Sequence, residues 1–310
     1  MFFLVRKFLK NSIFERFLMI TSKYNFVNRI DQLFQQKKNN ILTLYFTAGF
    51  PDLHSTVPIL QLLAQNGVDM VEIGMPFSDP LADGETIQKS SQKALENGMS
   101  IAMLFEQLQD IRSKVQIPIV LMGYLNPVLQ FGIEKFCQSC AQIGIDGIIL
   151  PDLPLQEYLN EYRSVFEKYG LHKIFLITPQ TSPERIQAID EASRGFVYLV
   201  SQATTTGTKT GISEEQENYF KKIQAMNLKN PLLVGFGISD KDSFQKACKY
   251  ANGAIIGSAF IKHIEQSPDL EKSVPAFVEK ILDVGFEAKG KKQEIGNRIL
   301  ENKCQTENER

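Results

Sequence analysis

Residues 144–179 read GIDGIILPDLPLQEYLNEYRSVFEKYGLHKIFLITP and hold one complete structural unit. An apolar run over 144–152 ends at Asp152, a stretch with apolar residues at three-and-four spacing over 155–170 stops at Gly170, and a second apolar run follows over 172–179. Short apolar run, helical period, short apolar run is the pattern of two parallel strands joined by a crossover helix.

The unit repeats in both directions. Apolar runs predict further strands over 41–49, 69–77, 118–127, 195–201, 231–237 and 253–260. Helical patterns lie between them over 55–67, 99–113, 214–226 and 242–253, several opening on Ser or Asp and closing on Gly. About eight strands alternating with helices is what a closed parallel barrel needs, so the expected fold is a single-domain α/β TIM barrel, (β/α)8. An open doubly wound sheet gives a similar alternation, but no GxGxxG follows the first strand. The barrel domain is placed at 26–283, between an N-terminal extension (1–25) and a polar tail (284–310).

Composition excludes several classes. The 34 Lys and Arg balance 35 Asp and Glu, so no global field recruits nucleic acid or an acidic membrane. Cys137, Cys140, Cys248 and Cys304 show no framework of paired spacings, which points to a reducing, cytosolic setting. Cys137 and Cys140 form a CxxC, but the flanking FCQSCAQIG reads as a helix end carrying two small core residues. In the extension, Arg6, Lys7, Lys10 and Arg16 interrupt every apolar run, leaving no membrane span. An organelle-targeting helix and a start assigned too early both fit it. The tail lacks periodic apolar positions and is expected to be disordered.

Reactive groups of such a barrel project from the C-terminal ends of its strands. Those ends carry Thr47 and Gly49, Glu72, Tyr124 and Asn126, Asp152, Thr178, Ser201, Gly235 with Gly237, and Gly257 with Ser258. With no lysine among them, Schiff-base chemistry is disfavoured. His54, His172 and His263 have no metal-binding spacing, so no metal is expected. GFG at 235–237 and GS at 257–258 end the last two strands, where a barrel usually cradles phosphate, and Thr204-Thr205-Thr206-Gly207 could close that cradle from a third side.

The stretch VEIGMPFSDPLADG, residues 71–84, sets Glu72 among Val71, Ile73 and Met75. A carboxylate there should be poorly solvated, which raises its pKa and lets it donate a proton near neutrality. Asp83, in the polar loop, should stay an anion. Two carboxylates driven apart in this way are an acid and an electrostatic partner. The plainer alternatives are a structural ion pair for Glu72 and a turn aspartate for Asp83.

VEIGMPFSDPLADG is similar to the signature of the tryptophan synthase alpha chain family. The likeness runs from about Asn28 to about Leu282 through NRIDQLF, YFTAGFPD, LMGYLNPV, LPDLP, GFGIS and GSAF in the expected order. The resemblance implies a lyase that splits indole-3-glycerol phosphate into indole and glyceraldehyde 3-phosphate, with no cofactor of its own. It implies Glu72 as the acid/base at the reacting carbons and Asp83 as the carboxylate stabilising the indole N–H. It further implies that Tyr198, Thr206 and Gly207 contact substrate, that Gly235, Gly237, Gly257 and Ser258 hold phosphate, and that Tyr45, Ile87 and Tyr124 line the indole slot.

The same resemblance implies a partner, the pyridoxal-phosphate-dependent beta chain, in an alpha2-beta2 heterotetramer. An exposed apolar face at Met75, Pro76 and Phe77 is expected to dock it. Two departures stand out: Glu85 follows Gly84 where the family continues with Pro, and Thr204 replaces a common glycine. The related barrel indole-glycerol-phosphate synthase would need a lysine at a strand end, and a purely activating subunit would not need Glu72 and Asp83.

Overall fold

A computed structural model describes residues 27–201, 213–235, 237–267 and 269–283. The proposed extension (1–25) and tail (284–310) lie outside the described residues. Nine parallel strand segments form one sheet: β1 (Ile41–Thr47), β2 (Met70–Gly74), β3 (Ile119–Met122), β4 (Gly147–Ile149), β5 (His172–Ile174), β6 (Leu176–Ile177), β7 (Val197–Val200), β8 (Leu232–Gly235) and β9 (Gly253–Ile256). Their order is β5-β4-β3-β2-β1-β9-β8-β7-β6, and only Phe175 separates β5 from β6.

The two ends of the sheet are therefore neighbours in the chain, and the sheet closes on itself. This is the expected (β/α)8 barrel with its fifth strand broken at Phe175. β5 pairs with β4 and β6 pairs with β7, while the Phe175 carbonyl accepts from the Tyr198 N–H at 2.9 Å. All seven residues of β1 are buried, as expected of a parallel strand covered on one face by helices and on the other by the barrel interior.

The helix Arg29–Gln36 closes the barrel floor. Ile30 is fully buried, and a Cβ on Gly147 or Gly195 would lie 3.0 or 2.9 Å from its side chain. Asp146, just before β4, accepts from Arg29 at 3.1 Å, from Arg112 at 2.5 Å and from the Ile119 N–H at 2.8 Å. The floor is thus fastened by partly buried ion pairs on the buried Asp146, and the opposite mouth is left for chemistry.

The strands are shorter than the apolar runs that predict them, and in two runs a helix begins before the run ends. β3 stops at Met122 and Leu125 opens the helix Leu125–Phe131; β9 stops at Ile256 and Ser258 opens the helix Ser258–Gln266. Pro127 is tolerated because first-turn N–H groups need no partner within the helix. Cys137 and Cys140 lie buried in the helix Ile133–Ile143, which ends on the left-handed Gly144 at φ 85°. Burial pushes the Cys137 thiol up to about 12, so these are core residues. Among the described residues no helix is long and apolar enough to cross a membrane.

Candidate active site

Glu72 is the central residue of β2 and stands in register with Tyr45 on β1 and Val120 on β3. Strand alternation sends Val71 and Ile73 to the helix layer and Glu72 into the barrel. It is 1% exposed, and its Oε2 finds no hydrogen-bond partner among the described residues. Burial, and then the charge of Asp83, push its pKa up to about 8, so the carboxyl holds a proton at neutrality. A buried carboxyl without a salt-bridge cation is poor structural material and a good proton donor.

Asp83 comes from the loop after β2. Its Oδ2 accepts from the Tyr124 hydroxyl at 3.0 Å, and the same phenol oxygen accepts from the Ala82 N–H at 3.0 Å. One tyrosine therefore grips both the carboxylate and the backbone that carries it. Gln88 holds the Asp83 carbonyl at 2.8 Å from the following helix, Glu85–Glu96. Burial raises Asp83 to about 6 and the Tyr124 bond opposes the rise, so Asp83 is mostly ionised at pH 7 though less acidic than its polar loop suggested. Glu85 is the first residue of that helix and pairs with Lys89 at 2.7 Å. An anion there suits the helix dipole, so the replacement of the family's proline is absorbed locally.

Two tyrosines frame the mouth, and glycine makes room for each. A Cβ on Gly74 would fall 2.0 Å from the Tyr45 hydroxyl oxygen, and one on Gly235 would fall 2.1 Å from that of Tyr198. The sequence offers phosphate binding as the reason for Gly235; close packing of Tyr198 is a second reason, visible only in three dimensions. Gly237 follows at φ 75°, a conformation that L side chains rarely adopt. Gly257 caps the nine-residue helix that Ser258 begins, and Ser258 is exposed at the mouth. Ile87 is buried on the helix Glu85–Glu96, whose Ser90 meets Thr47 of β1 at 2.7 Å. Thr206 and Gly207 lie outside the described residues.

The structure alters the expected docking face at one residue, Met75, and leaves Pro76 and Phe77 partly exposed. Met75 is buried, its side chain lying where a Cβ on Gly123 would come within 2.6 Å, and the Phe77 ring sits 5.2 Å from that of Tyr124. Met75 thus packs inward, whereas Pro76 and Phe77 stay partly exposed, Phe77 against Tyr124. The apolar group this loop presents furthest outward is Leu81, 92% exposed.

Sequence reasoning missed three supports. The resemblance implies Tyr124 as slot lining, and the structure makes it also the anchor of Asp83. Asp152 accepts the Leu125 N–H at 3.0 Å and so fixes the start of the helix next to Tyr124. Asn97 holds the Gly49 and Pro51 carbonyls, each at 2.9 Å, and secures the loop after β1. Asp152 at a strand end was visible in the sequence; its partner was not.

A closed parallel barrel with a protonated glutamic acid and an anchored aspartate at its mouth has the architecture of a TIM-barrel acid–base enzyme. Comparison with known proteins specifies the family. The family model for the tryptophan synthase alpha chain matches residues 30–288. The chain is 60% identical over 241 residues to the tryptophan synthase alpha chain of Flavobacterium johnsoniae, covering 78% of this chain and 95% of that one. It is 54% identical over 248 residues to that of Bacteroides thetaiotaomicron, covering 80% and 97%. Among solved structures it resembles the alpha chain of Legionella pneumophila, with a TM-score of 0.74, 32% identity and coverage of 82% and 96%. It also resembles a chain of the tryptophan synthase complex from Pyrococcus furiosus, with a TM-score of 0.73, 34% identity and coverage of 80% and 100%. The chain belongs to the tryptophan synthase alpha chain family.

Proposed function

We propose that this chain cleaves indole-3-glycerol phosphate to indole and glyceraldehyde 3-phosphate, with Glu72 as its acid/base and Asp83 as the electrostatic partner. The observation that carries the reading is the buried, protonated Glu72 beside an ionised Asp83 that Tyr124 holds in place. Glu72 gives its proton to indole C3, and Asp83 stabilises the positive N–H that results. The Glu72 carboxylate then takes the proton of the glycerol hydroxyl next to the breaking bond. The electrons of the C–C bond return to the ring, so indole leaves as a neutral aromatic and the glycerol carbon becomes an aldehyde. No atom is gained or lost.

Tyr45, Ile87, Tyr124 and Tyr198 line the apolar slot in this reading. Gly235, Gly237, Gly257 and Ser258 hold the phosphate through backbone N–H groups and the start of a helix, and Thr206 and Gly207 complete the substrate contacts. The chemistry asks for no cofactor in this chain; pyridoxal phosphate belongs to the beta chain. That beta chain is the partner, in an alpha2-beta2 heterotetramer that uses the released indole to make L-tryptophan, and Leu81 is the apolar contact offered by the loop after β2. The setting is cytoplasmic, and residues 26–283 form the catalytic domain.

The test is indole release from indole-3-glycerol phosphate by the purified chain, compared with a Glu72→Gln variant. Turnover that disappears in the variant is expected. Equal rates would leave the chain as an activating scaffold for its partner.

A further inference from the structure

Lys173 lies in the middle of β5 and is completely buried. It shares a strand face with Phe175, whose ring lies 4.1 Å beneath its ammonium and 5.3 Å from the ring of Tyr158 in the helical segment after β4. The side chain therefore lies behind the barrel wall and not in the mouth, so it does not revive a Schiff-base mechanism. Its Nζ donates to the Ile174 carbonyl at 2.9 Å and to the Leu150 carbonyl at 3.4 Å. Both acceptors sit at the β4–β5 seam, where pairing ends and the fifth strand breaks.

The Leu150 carbonyl also opens a turn. It accepts from the Leu153 N–H at 3.2 Å, and the turn presents Asp152. Both oxygens of Asp152 receive the Leu125 N–H at 3.0 Å; the preceding residue is Tyr124, whose hydroxyl is 3.0 Å from Asp83. A continuous set of contacts thus runs from the barrel wall to the carboxylate at the mouth. We infer that Lys173 is a positioning residue for Asp83, fastening the β4–β5 seam so that Asp152, the Leu125 helix start and Tyr124 keep their register.

Chemistry supports a role of this kind. Among the described residues Lys173 has no carboxylate in hydrogen-bond contact, and Asp152 is the charged group it feels. Burial draws its pKa down to about 7 against that charge, so it is cationic where Asp83 titrates, near 6. A methionine of similar length would fill the space more cheaply if packing were the whole requirement.

The inference rests on Asp83 being part of the working site, but its test does not need turnover. The readout is the 13C-carboxyl titration of Asp83 in the full chain, for wild type, Lys173→Met and Asp152→Ala, which removes the acceptor of the Leu125 N–H, with thermal melting in parallel. The Tyr124 hydrogen bond lowers the Asp83 pKa, so loosening it should move the midpoint upward by about half a unit or more in both variants. Indole release should fall roughly tenfold in both, with KM within about twofold. A Lys173→Met chain that melts earlier yet keeps the wild-type Asp83 midpoint would make Lys173 merely structural and overturn the inference. If Lys173→Met does not fold, Asp152→Ala on the exposed turn decides: an unmoved midpoint overturns it equally. A wild type without turnover contradicts the proposed function instead.

Discussion

The hydroxyl of Tyr124 donates to Oδ2 of Asp83 across 3.0 Å and accepts from the neighbouring Ala82 N–H at the same distance. It thereby sets both the place and the charge of a carboxylate that is 41 residues away in sequence. A hydrogen bond to an ionised group contributes roughly 1.5–3 kcal/mol. Tyr124→Phe should therefore cut indole release about ten- to a hundredfold and shift the acidic limb of its pH profile upward. An unchanged rate would show that the phenol only fills space.

The pH dependence of kcat/KM follows from the two carboxylates. The proposed mechanism needs Asp83 ionised, and it rises to about 6; it needs Glu72 protonated, and that rises to about 8. The profile should be a bell that falls below about pH 6 as Asp83 takes a proton and above about pH 8 as Glu72 loses one. Steady-state assays from pH 5 to pH 10 check it, and a single limb near 4.5, the ordinary glutamate value, would contradict the assignment.

Stability carries the same signature with a fixed sign. Glu72 binds its proton more tightly folded, at about 8, than at its ordinary 4.5, so native protein holds more protons between these values. Stability should fall as pH rises through that window, by up to roughly 1.4 kcal/mol per pH unit from this group. Glu72→Gln imitates the neutral acid and should escape the loss. Its melting temperature should match wild type at pH 5 and exceed it at pH 9, and a gap that does not vary with pH would count against the raised pKa.

Gly74→Ala tests the packing at the mouth. The new methyl would meet the Tyr45 hydroxyl at 2.0 Å and the ring carbon bearing it at 2.6 Å. Overpacking of this kind costs about 1–3 kcal/mol, so the melting temperature should drop by roughly 2–4 °C per kcal/mol. Tyr45 should be displaced and KM should rise; an unaffected variant would mean that the tyrosine moves aside freely.

What the sequence revealed follows the range of the physics involved. The strands were legible because runs such as ILTLYF and GIIL are buried on both faces and need no partner to be recognised. Glu72 stood out because a carboxyl in such a run is costly to bury. Strand ends were less legible: Leu125 and Ser258 are as compatible with an apolar run as with a helix start, and the choice depends on Asp152 and on Gly257. The break at Phe175 was invisible, since residues on both sides are strand-like and only pairing with β4 and β7 separates them. Lys173 was not legible because it lies within a strand, not at its end. The burial of Met75 was not legible, because it depends on the side chain lying against Gly123 of another loop.

The central claim is that Glu72 carries a proton at neutral pH in the resting chain. The most direct measurement is a 13C titration of glutamate carboxyls, with the Glu72 signal assigned by its loss in Glu72→Gln. A midpoint near 8 is predicted. A midpoint near 4.5 would make residue 72 an anion under working conditions and remove the acid from the mechanism.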